Sequence, residues 1–503
     1  MTKEKILVVG ATGYIGSRLV LILLERGYEV RVTYRKLDKV KEKIWYRHPN
    51  LEMVYADVYD QLTIIKACDN ISVVYYLVHS MNPDNKDFAR WDRIAVRNIA
   101  IATLKNSVER IIYLGGLGSN TDKISKHLYS RSQVGKLLQG GKVPTTVLQA
   151  AMIIGSGSVS FEMLRYLVDR LPVMITPKWV DTLNQPIAIS NVIEYLMGCL
   201  INEKTIGKTF DIGGPDILNY KQLINIYAEE ANLLKRLIIT LPMNDPRKSA
   251  AYLISRVIPM DSSLIHPLIE SLRNEVICEE NEISKYIPEI LISAREAIRR
   301  TNAESKQAIL HNSMQLQGWI PPIEWSHLGD PEWSGGSQYY DRRVAIVVGN
   351  IDKLWEAIES IGGTKGWYHG NRLWKLRGII DQLVGGPGIR RGRDNPNKLK
   401  QGAILDCWRV RRLLPNKELL LSAEMKLPGH ATLKFTIKPL NHQRILVEQV
   451  ACFVPHGLWG VLYWRFIIPF HTYIFHGMIE GLIKEAGAKI IYGPKVLKKH
   501  VKI

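Results

Sequence analysis

Cysteine is scarce in this sequence. Five thiols in 503 residues, at positions 68, 199, 278, 407 and 452, contain no C-x-x-C pair and are odd in number. That argues against a disulfide framework or a thiolate metal centre and for a reducing compartment. No H-E-x-x-H or other metal-ligand spacing occurs among the histidines, and His471 and His476, five apart, are poorly placed for one helical face. No metal is expected. Internal repeats and low-complexity tracts are absent too, which sets aside repeat architectures. The start MTKEKILVV lacks a signal-peptide pattern, because its apolar run is short and leads straight into a glycine turn. A cytoplasmic protein is the expectation. Acidic charge is in deficit: the net charge is +19. The excess favours an anionic partner such as a membrane surface or a phosphorylated ligand, although basic residues spread along the chain also read as a solvated surface. No nucleic-acid reader motif accompanies the charge, so nucleic acid is not an expected partner.

What is present is organised in two parts. Apolar residues make up 46% of the chain, enough for real cores, and the length calls for two or three domains. Over residues 1–305, strand-like runs (KILVVG, EVRVTYR, NLEMVYADV, ISVVYYLVH, RIIYLGG, TTVLQAAMI) alternate with helical stretches. This spacing predicts an α/β domain on a doubly wound parallel sheet of the Rossmann type. The proline- and glycine-rich stretch within 306–338 reads as a linker. Residues 339–492 order as one strand, two helices, four successive strand candidates beginning with AILDCWRVRRLL, and a long apolar helix, followed by a basic tail at 493–503. That order resembles an α+β helix-grip, START-like domain, in which a curved sheet wraps a helix around a cavity. Arg465, Pro469, His471 and His476 inside the last helix argue against a bilayer span.

The motif GATGYIG sets Gly10, Gly13 and Gly16 directly after a strand and at the start of a helix, with Thr12, Tyr14 and Ile15 between them. Glycines there let the backbone turn tightly and approach a pyrophosphate on the helix N-terminus. Asp57 and Val58 follow the third strand, where such folds hold adenine. The second strand ends Thr33-Tyr34-Arg35-Lys36, without the acid that accepts from the ribose 2′-hydroxyl of NAD. Arg35 and Lys36 suit a 2′-phosphate instead, so NADP(H) is the expected cofactor. Arg18 is a candidate to assist.

Together with ADV (56–58), YYLVHSM (75–81), RNI (97–99) and IIYLGGLG (111–118), this motif resembles the atypical short-chain dehydrogenase/reductases, in particular their NmrA-like and complex-I 39-kilodalton-subunit-like branch. The resemblance implies that Leu77, Val78 and His79 also meet the cofactor. It implies a catalytic block, here KHLYSRSQVGK (126–136). Anchored on its Tyr, Tyr129 is followed four residues later by Gln133 rather than Lys. Anchored on Ser and Gly, Ser130-Arg131 takes the Ser-Lys position and His127 the Tyr position. In that preferred register Arg131 holds the nicotinamide ribose and His127 donates a proton. Gly115-Gly116-Leu117 replaces the usual Ser, so the standard triad is absent in either register, and a helix that only supports cofactor binding stays open. The second part resembles an uncharacterised bacterial domain that follows such reductases, through LWKLRGIIDQLVGGPGIRRGR (373–393), AEMKLPGHA (423–431) and GLWGVLYW (457–464).

In that second domain Arg377, Asp406 and Glu424 are candidates for a buried ionic cluster that binds substrate, and Arg390, Arg391 and Arg393 for an anion- or membrane-contacting loop. The expected function is NADP(H)-dependent reduction of an apolar lipid, isoprenoid, quinone or polyketide-like substrate held by the carboxy-terminal domain. An NADP(H)-binding sensor or binding module without turnover is the alternative, and peripheral attachment to an anionic membrane is expected in either case.

Overall fold

The computed structural model describes residues 4–78, 88–118, 125–241, 257–315, 320–388, 392, 393, 395, 398–441 and 443–497, without the side chains of 88, 89, 126, 127, 262, 263, 266 and 305–315. Two compact units divide the chain, Met1–Gly336 and Ser337–Ile503.

The amino-terminal unit is built on strands β1 (Lys5–Val9), β2 (Glu29–Tyr34), β3 (Leu51–Tyr55), β4 (Val73–Tyr76), β5 (Arg110–Gly116), β6 (Thr145–Ala150) and β7 (Thr209–Ile212), in the order β7-β6-β5-β4-β1-β2-β3. Every pairing in it is parallel. A parallel sheet needs cover on both faces, so its central strands are apolar without alternation. In β1, Ile6 and Val8 pack into one layer with α1 (Tyr14–Glu25), while Leu7 and Val9 pack into the other with α2 (Phe88–Lys105) and α3 (Lys126–Gln139). Helix α4 (Ile189–Ile201) completes the first layer. The strand order reverses between β1 and β4, which opens a crevice at their carboxyl ends.

The stretch expected as a linker belongs in large part to this unit. A helix continues over Ala294–Gln315, and residues 320–336 fold onto the unit around a fully buried guanidinium. Arg18, on α1, donates to Tyr14 O (3.1 Å), Ser156 O (2.8 Å), Ile323 O (2.9 Å), Trp325 O (2.6 Å) and Asp330 Oδ2 (3.0 Å). Lys43 Nζ stands 3.7 Å from the other Asp330 oxygen. Buried Glu162 accepts from the backbone N–H of Gly335 (2.8 Å) and Gly157 (3.1 Å), and Tyr166 donates to Trp333 O. Proline and glycine there mark irregular backbone, and irregular backbone can be buried when side chains satisfy its polar groups. Arg18 is therefore a structural cation and not a cofactor ligand.

The carboxy-terminal unit contains β8 (Tyr339–Val348), α5 (Ile351–Glu359), α6 (Asn371–Leu383), β9 (Ile404–Leu405), β10 (Trp408–Leu414), β11 (Glu418–Ala423), β12 (Gly429–Asn441), β13 (Arg444–Pro455), α7 (Gly457–Glu485) and β14 (Lys489–Val496). The strands form a second sheet, β9-β10-β11-β12-β13-β8-β14, with antiparallel pairing throughout. Leu354 and Ile358 of α5 and Phe475, Met478, Ile479 and Leu482 of α7 pack in one core with strand residues such as Leu433 and Phe435. Two expectations change. AILDCWRVRRLL is a hairpin, since Leu405 pairs with Trp408 around the two-residue turn Asp406-Cys407, with Asp406 at φ 53. Asp tolerates that left-handed conformation, which a tight hairpin needs. The start of the expected basic tail at 493 is strand: Val496 pairs with Arg343 in β8.

Removing a partner from a buried ion pair costs about 3–5 kcal/mol, because the other charge stays buried. Arg18→Ala should therefore lower the unfolding free energy in urea by that order, with Arg18→Met intermediate. Burial alone would raise the Asp330 carboxyl, but Arg18 and Lys43 outweigh it and hold it below the usual range. Its contribution is then present above the unfolded value of about 4 and lost as pH falls through the depressed one. Asp330→Asn should flatten that acid limb of the stability profile.

Candidate functional site

The glycine turn is fixed by contact. Gly10 has φ 96, and a Cβ there would lie 2.8 Å from Leu77 O. A Cβ on Gly16 would lie 2.3 Å from Gly10 O, so only glycine lets α1 start this close to β1. Gly13 donates its N–H to Gly10 O (3.0 Å) and caps α1 without a side-chain acceptor. The first turn of α1 also has no acidic residue. An uncapped helix end at a switch point presents N–H groups and positive dipole to an anion. Thr12 is half-buried beside it. Tyr14 and Ile15 contribute backbone, for both side chains pack on the core. The Tyr14 ring lies under the Arg18 guanidinium at 4.2 Å, and burial pushes its phenol well above the ordinary value.

At the end of β2, Arg35 and Lys36 are exposed, and their side chains have no partner among the described residues. Asp57 is half-buried, takes the Tyr59 N–H on its carboxylate, and is followed by buried Val58. Leu77 and Val78 leave β4 half-buried against the turn, with the Leu77 N–H on Val9 O. His79 lies outside the described residues.

Helix α3 starts behind Ser125, whose hydroxyl accepts from the Leu128 N–H. His127 is in its first turn, but its side chain lies outside the described residues. Tyr129 points to solvent, 53% exposed. Ser130 is buried and donates to Asp92 Oδ2 at 2.6 Å. Arg131 turns the other way: its guanidinium reaches Leu114 O (3.4 Å), and its side chain packs where a Cβ on Gly116 would sit. Its backbone carbonyl accepts from Tyr113, whose phenol burial pushes up to about 12.

Gly116 and Arg131 are among the residues lining a cavity of about 430 Å³ in the amino-terminal unit. Its wall is largely apolar, including Leu128, Met152, Leu164, Leu167 and Ile224. Three polar groups stand in that wall without a hydrogen-bond partner among the described residues: both amide atoms of Asn184, which is fully buried, Thr176 Oγ1 and Trp179 Nε1. A buried polar group left unpaired costs about 1–3 kcal/mol. Nothing in the local sequence marks Asn184. Its neighbours fold into a short two-strand pairing, Asn184 with Leu218, and only tertiary packing turns that stretch into a cavity wall.

The polar residues singled out in the carboxy-terminal unit do not form one cluster. Asp406 accepts from Gly363 N–H (3.2 Å) and Trp367 Nε1 (2.9 Å). Glu424 is paired with Arg409, and Arg377 is half-buried on α6. The hairpin turn separates Asp406 from the strand alternation that would have aligned them. Arg393 donates to the Glu359 and Ile361 carbonyls (2.9 Å each), so it braces the loop. Arg390 and Arg391 lie outside the described residues. Fully buried Asp381, which carried no sequence signal, organises the glycine-rich loop by accepting from Gly388 and Lys426 N–H, both at 2.8 Å.

Residues 10–151 match a family model described as NAD(P)H-binding. Residues 333–478 match one described as a protein of unknown function, DUF2867. Dihydroflavonol 4-reductase of Dianthus caryophyllus is 27% identical over 139 residues, 26% of this chain and 39% of that protein. The mitochondrial NADH dehydrogenase [ubiquinone] 1 alpha subcomplex subunit 9 of Rattus norvegicus is 28% identical over 218 residues, 42% of this chain and 56% of that one. The chain thus spans between about two fifths and somewhat over half of these curated relatives. Among solved structures, the Citrobacter sp. triphenylmethane reductase complexed with NADP(H) is similar at a TM-score of 0.48 and 16% identity, over 59% of this chain and 99% of that one. Residues 10–151, on the Rossmann-like parallel sheet of the amino-terminal unit, are thus similar to NAD(P)H-binding proteins, and residues 333–478 to a family of unknown function.

Proposed function

We propose that the protein is an NADP(H)-dependent oxidoreductase whose substrate is a mainly apolar small molecule bearing a hydrogen-bonding group, and that the substrate occupies the cavity of the amino-terminal unit. One observation carries the reading: an apolar cavity that includes Arg131 and Gly116 in its lining and keeps the Asn184 amide buried and, among the described residues, unpaired. A site built to hydrogen-bond a ligand leaves such groups waiting, and they discriminate strongly against ligands that cannot pair with them. This shifts the substrate from the carboxy-terminal domain, where the element order alone had suggested it.

Preference for NADP(H) rests on Arg35 and Lys36, exposed at the end of β2 where an acid would favour NAD. When bound, the reduced nicotinamide supplies hydride. The Arg131 guanidinium, a fork of N–H donors, suits a ribose hydroxyl or a developing oxyanion at the ends of β5 and β6. His127 is the proposed proton donor, one helical turn before Arg131 on α3. A cytoplasmic location is part of the same proposal, on the ground of five free thiols. A sensor without turnover is favoured by solvent-facing Tyr129 and by the absence of a hydroxyl at Gly115-Gly116.

Titration of the apo-protein should give tighter binding of NADPH than NADH, and Arg35→Ala should erase about tenfold of that preference, the worth of one charge-assisted contact; equal affinities in the parent count against NADP(H). Mass spectrometry of small molecules extracted from the purified protein should return an apolar compound with a carbonyl, hydroxyl or amide. With that compound, Asn184→Leu should keep or raise the melting temperature yet lower kcat/KM by roughly 10- to 100-fold, the cost of an unpaired contact. His127→Ala should lose about 10²- to 10⁴-fold in single-turnover NADPH oxidation while still binding cofactor, with Tyr129→Phe mild. A dead Tyr129→Phe beside an active His127→Ala would reverse the register of α3, and parent-like behaviour of both would favour the sensor.

A further inference from the structure

Helices α6 and α7 each bury one face and leave a second apolar face in solvent. On α6 the buried positions are Trp374, Gly378 and Asp381. Leu376, Ile379, Ile380 and Leu383 are exposed, Leu383 at 82%. Their spacing i, i+3, i+4, i+7 makes one helical stripe. On α7 the core takes Val461, Trp464, Phe475, Met478 and Ile479. Trp459, Leu462, Phe466, Phe470 and Tyr473 are exposed, at i, i+3, i+7, i+11 and i+14, with Trp459 at 76% and Phe466 at 73%. The start of α6 meets the middle of α7, where the His369 and Tyr473 rings lie 4.6 Å apart.

Along the stripes the exposed charges are basic, and the first acid of α7, Glu480, follows the end of its stripe and pairs with His476 at 3.3 Å. Arg372, Lys375 and Arg465 are exposed. From Gly457 to Ile479, α7 contains no Asp or Glu. The one acid of α6, Asp381, is buried and taken up by backbone N–H groups. Exposed Trp, Phe and Tyr with flanking Arg and Lys is the composition of a surface that sits at the level of lipid headgroups. Length and apolarity alone would let α7 cross a bilayer. Its second face is committed to the core of the unit, so it can lie along a membrane and not through one.

We propose that α6 and α7 form a docking surface that seats the carboxy-terminal unit on an anionic lipid bilayer, with the aromatic side chains in the interface and the basic ones on headgroup phosphates. This goes beyond the catalytic reading and does not depend on it. The test is flotation of the full chain with vesicles of phosphatidylcholine alone or mixed with phosphatidylglycerol, at low and high salt. The parent should float with the mixed vesicles. Trp459→Ser with Phe466→Ser, and independently Ile379→Ser with Leu383→Ser, should each lower the partition coefficient roughly tenfold. High salt should weaken binding without abolishing it, since only the ionic part is screened. Unchanged NADPH affinity and melting temperature in both variants would show that the fold is intact. The proposal is overturned if the parent fails to float, if it floats equally with phosphatidylcholine alone, or if intact variants float like the parent. It is also overturned if sedimentation shows a parent dimer that the variants dissociate, which would make the stripes an interface between copies.

Discussion

The guanidinium of Arg18 is a constraint around which much of the amino-terminal unit is arranged. A cation with no solvent contact must find acceptors for its N–H groups, and five are supplied from three places in the chain. One is its own helix at Tyr14, directly inside the glycine turn. Another is Ser156, which precedes the helix Val159–Arg170 whose Met163, Leu164 and Leu167 line the cavity. The rest come from residues 323–330. One side chain thus joins the cofactor turn, the cavity wall and the end of the unit. A loosened contact at any of the three leaves a buried N–H of the cation without its acceptor, and at Asp330 it also removes the counterion.

The two halves of the proposed site follow opposite physical rules. At the glycine turn, space decides: Gly10 and Gly16 approach other backbone atoms so closely that any side chain would displace them. In the cavity, polar balance decides. Asn184, Thr176 and Trp179 keep hydrogen-bonding atoms buried and, among the described residues, unpaired, a local cost that packing elsewhere offsets. Sites that violate the rule of polar satisfaction in an otherwise well-packed fold are where function is to be sought.

The carboxy-terminal unit shows how a hydropathy pattern can satisfy two masters. Helix α7 is apolar nearly all round; half of that character serves the core and half faces solvent. Helix α6 repeats the arrangement at a smaller scale. An apolar face that folding alone does not need must be maintained for something else, since exposed stripes of this kind invite aggregation.

How much of this could be read from the sequence depended on the range of the interaction. The parallel sheet, the glycine turn and the missing acid after β2 are local signals: runs of apolar residues, glycines at fixed offsets and the residue that ends a strand. They survive inspection of a dozen residues at a time, and the doubly wound parallel sheet was legible from them, though the order of its strands was not. The hairpin at Asp406-Cys407 was also local, yet it was masked by a longer β-rich run whose alternation looked continuous. Residues 320–336 misled because proline and glycine report irregularity and not exposure. Arg18, Asn184 and Asp381 were beyond sequence reasoning altogether. Their roles come from partners or cavities contributed by distant segments, 305 residues away in the pairing of Arg18 with Ile323. The sequence by itself determined which elements form and what the first of them binds. Only the tertiary structure decided which charges are buried, which amide is left without a partner among the described residues and which helix faces remain open, because burial and hydrogen-bond satisfaction depend on the whole packed chain and not on any stretch of it.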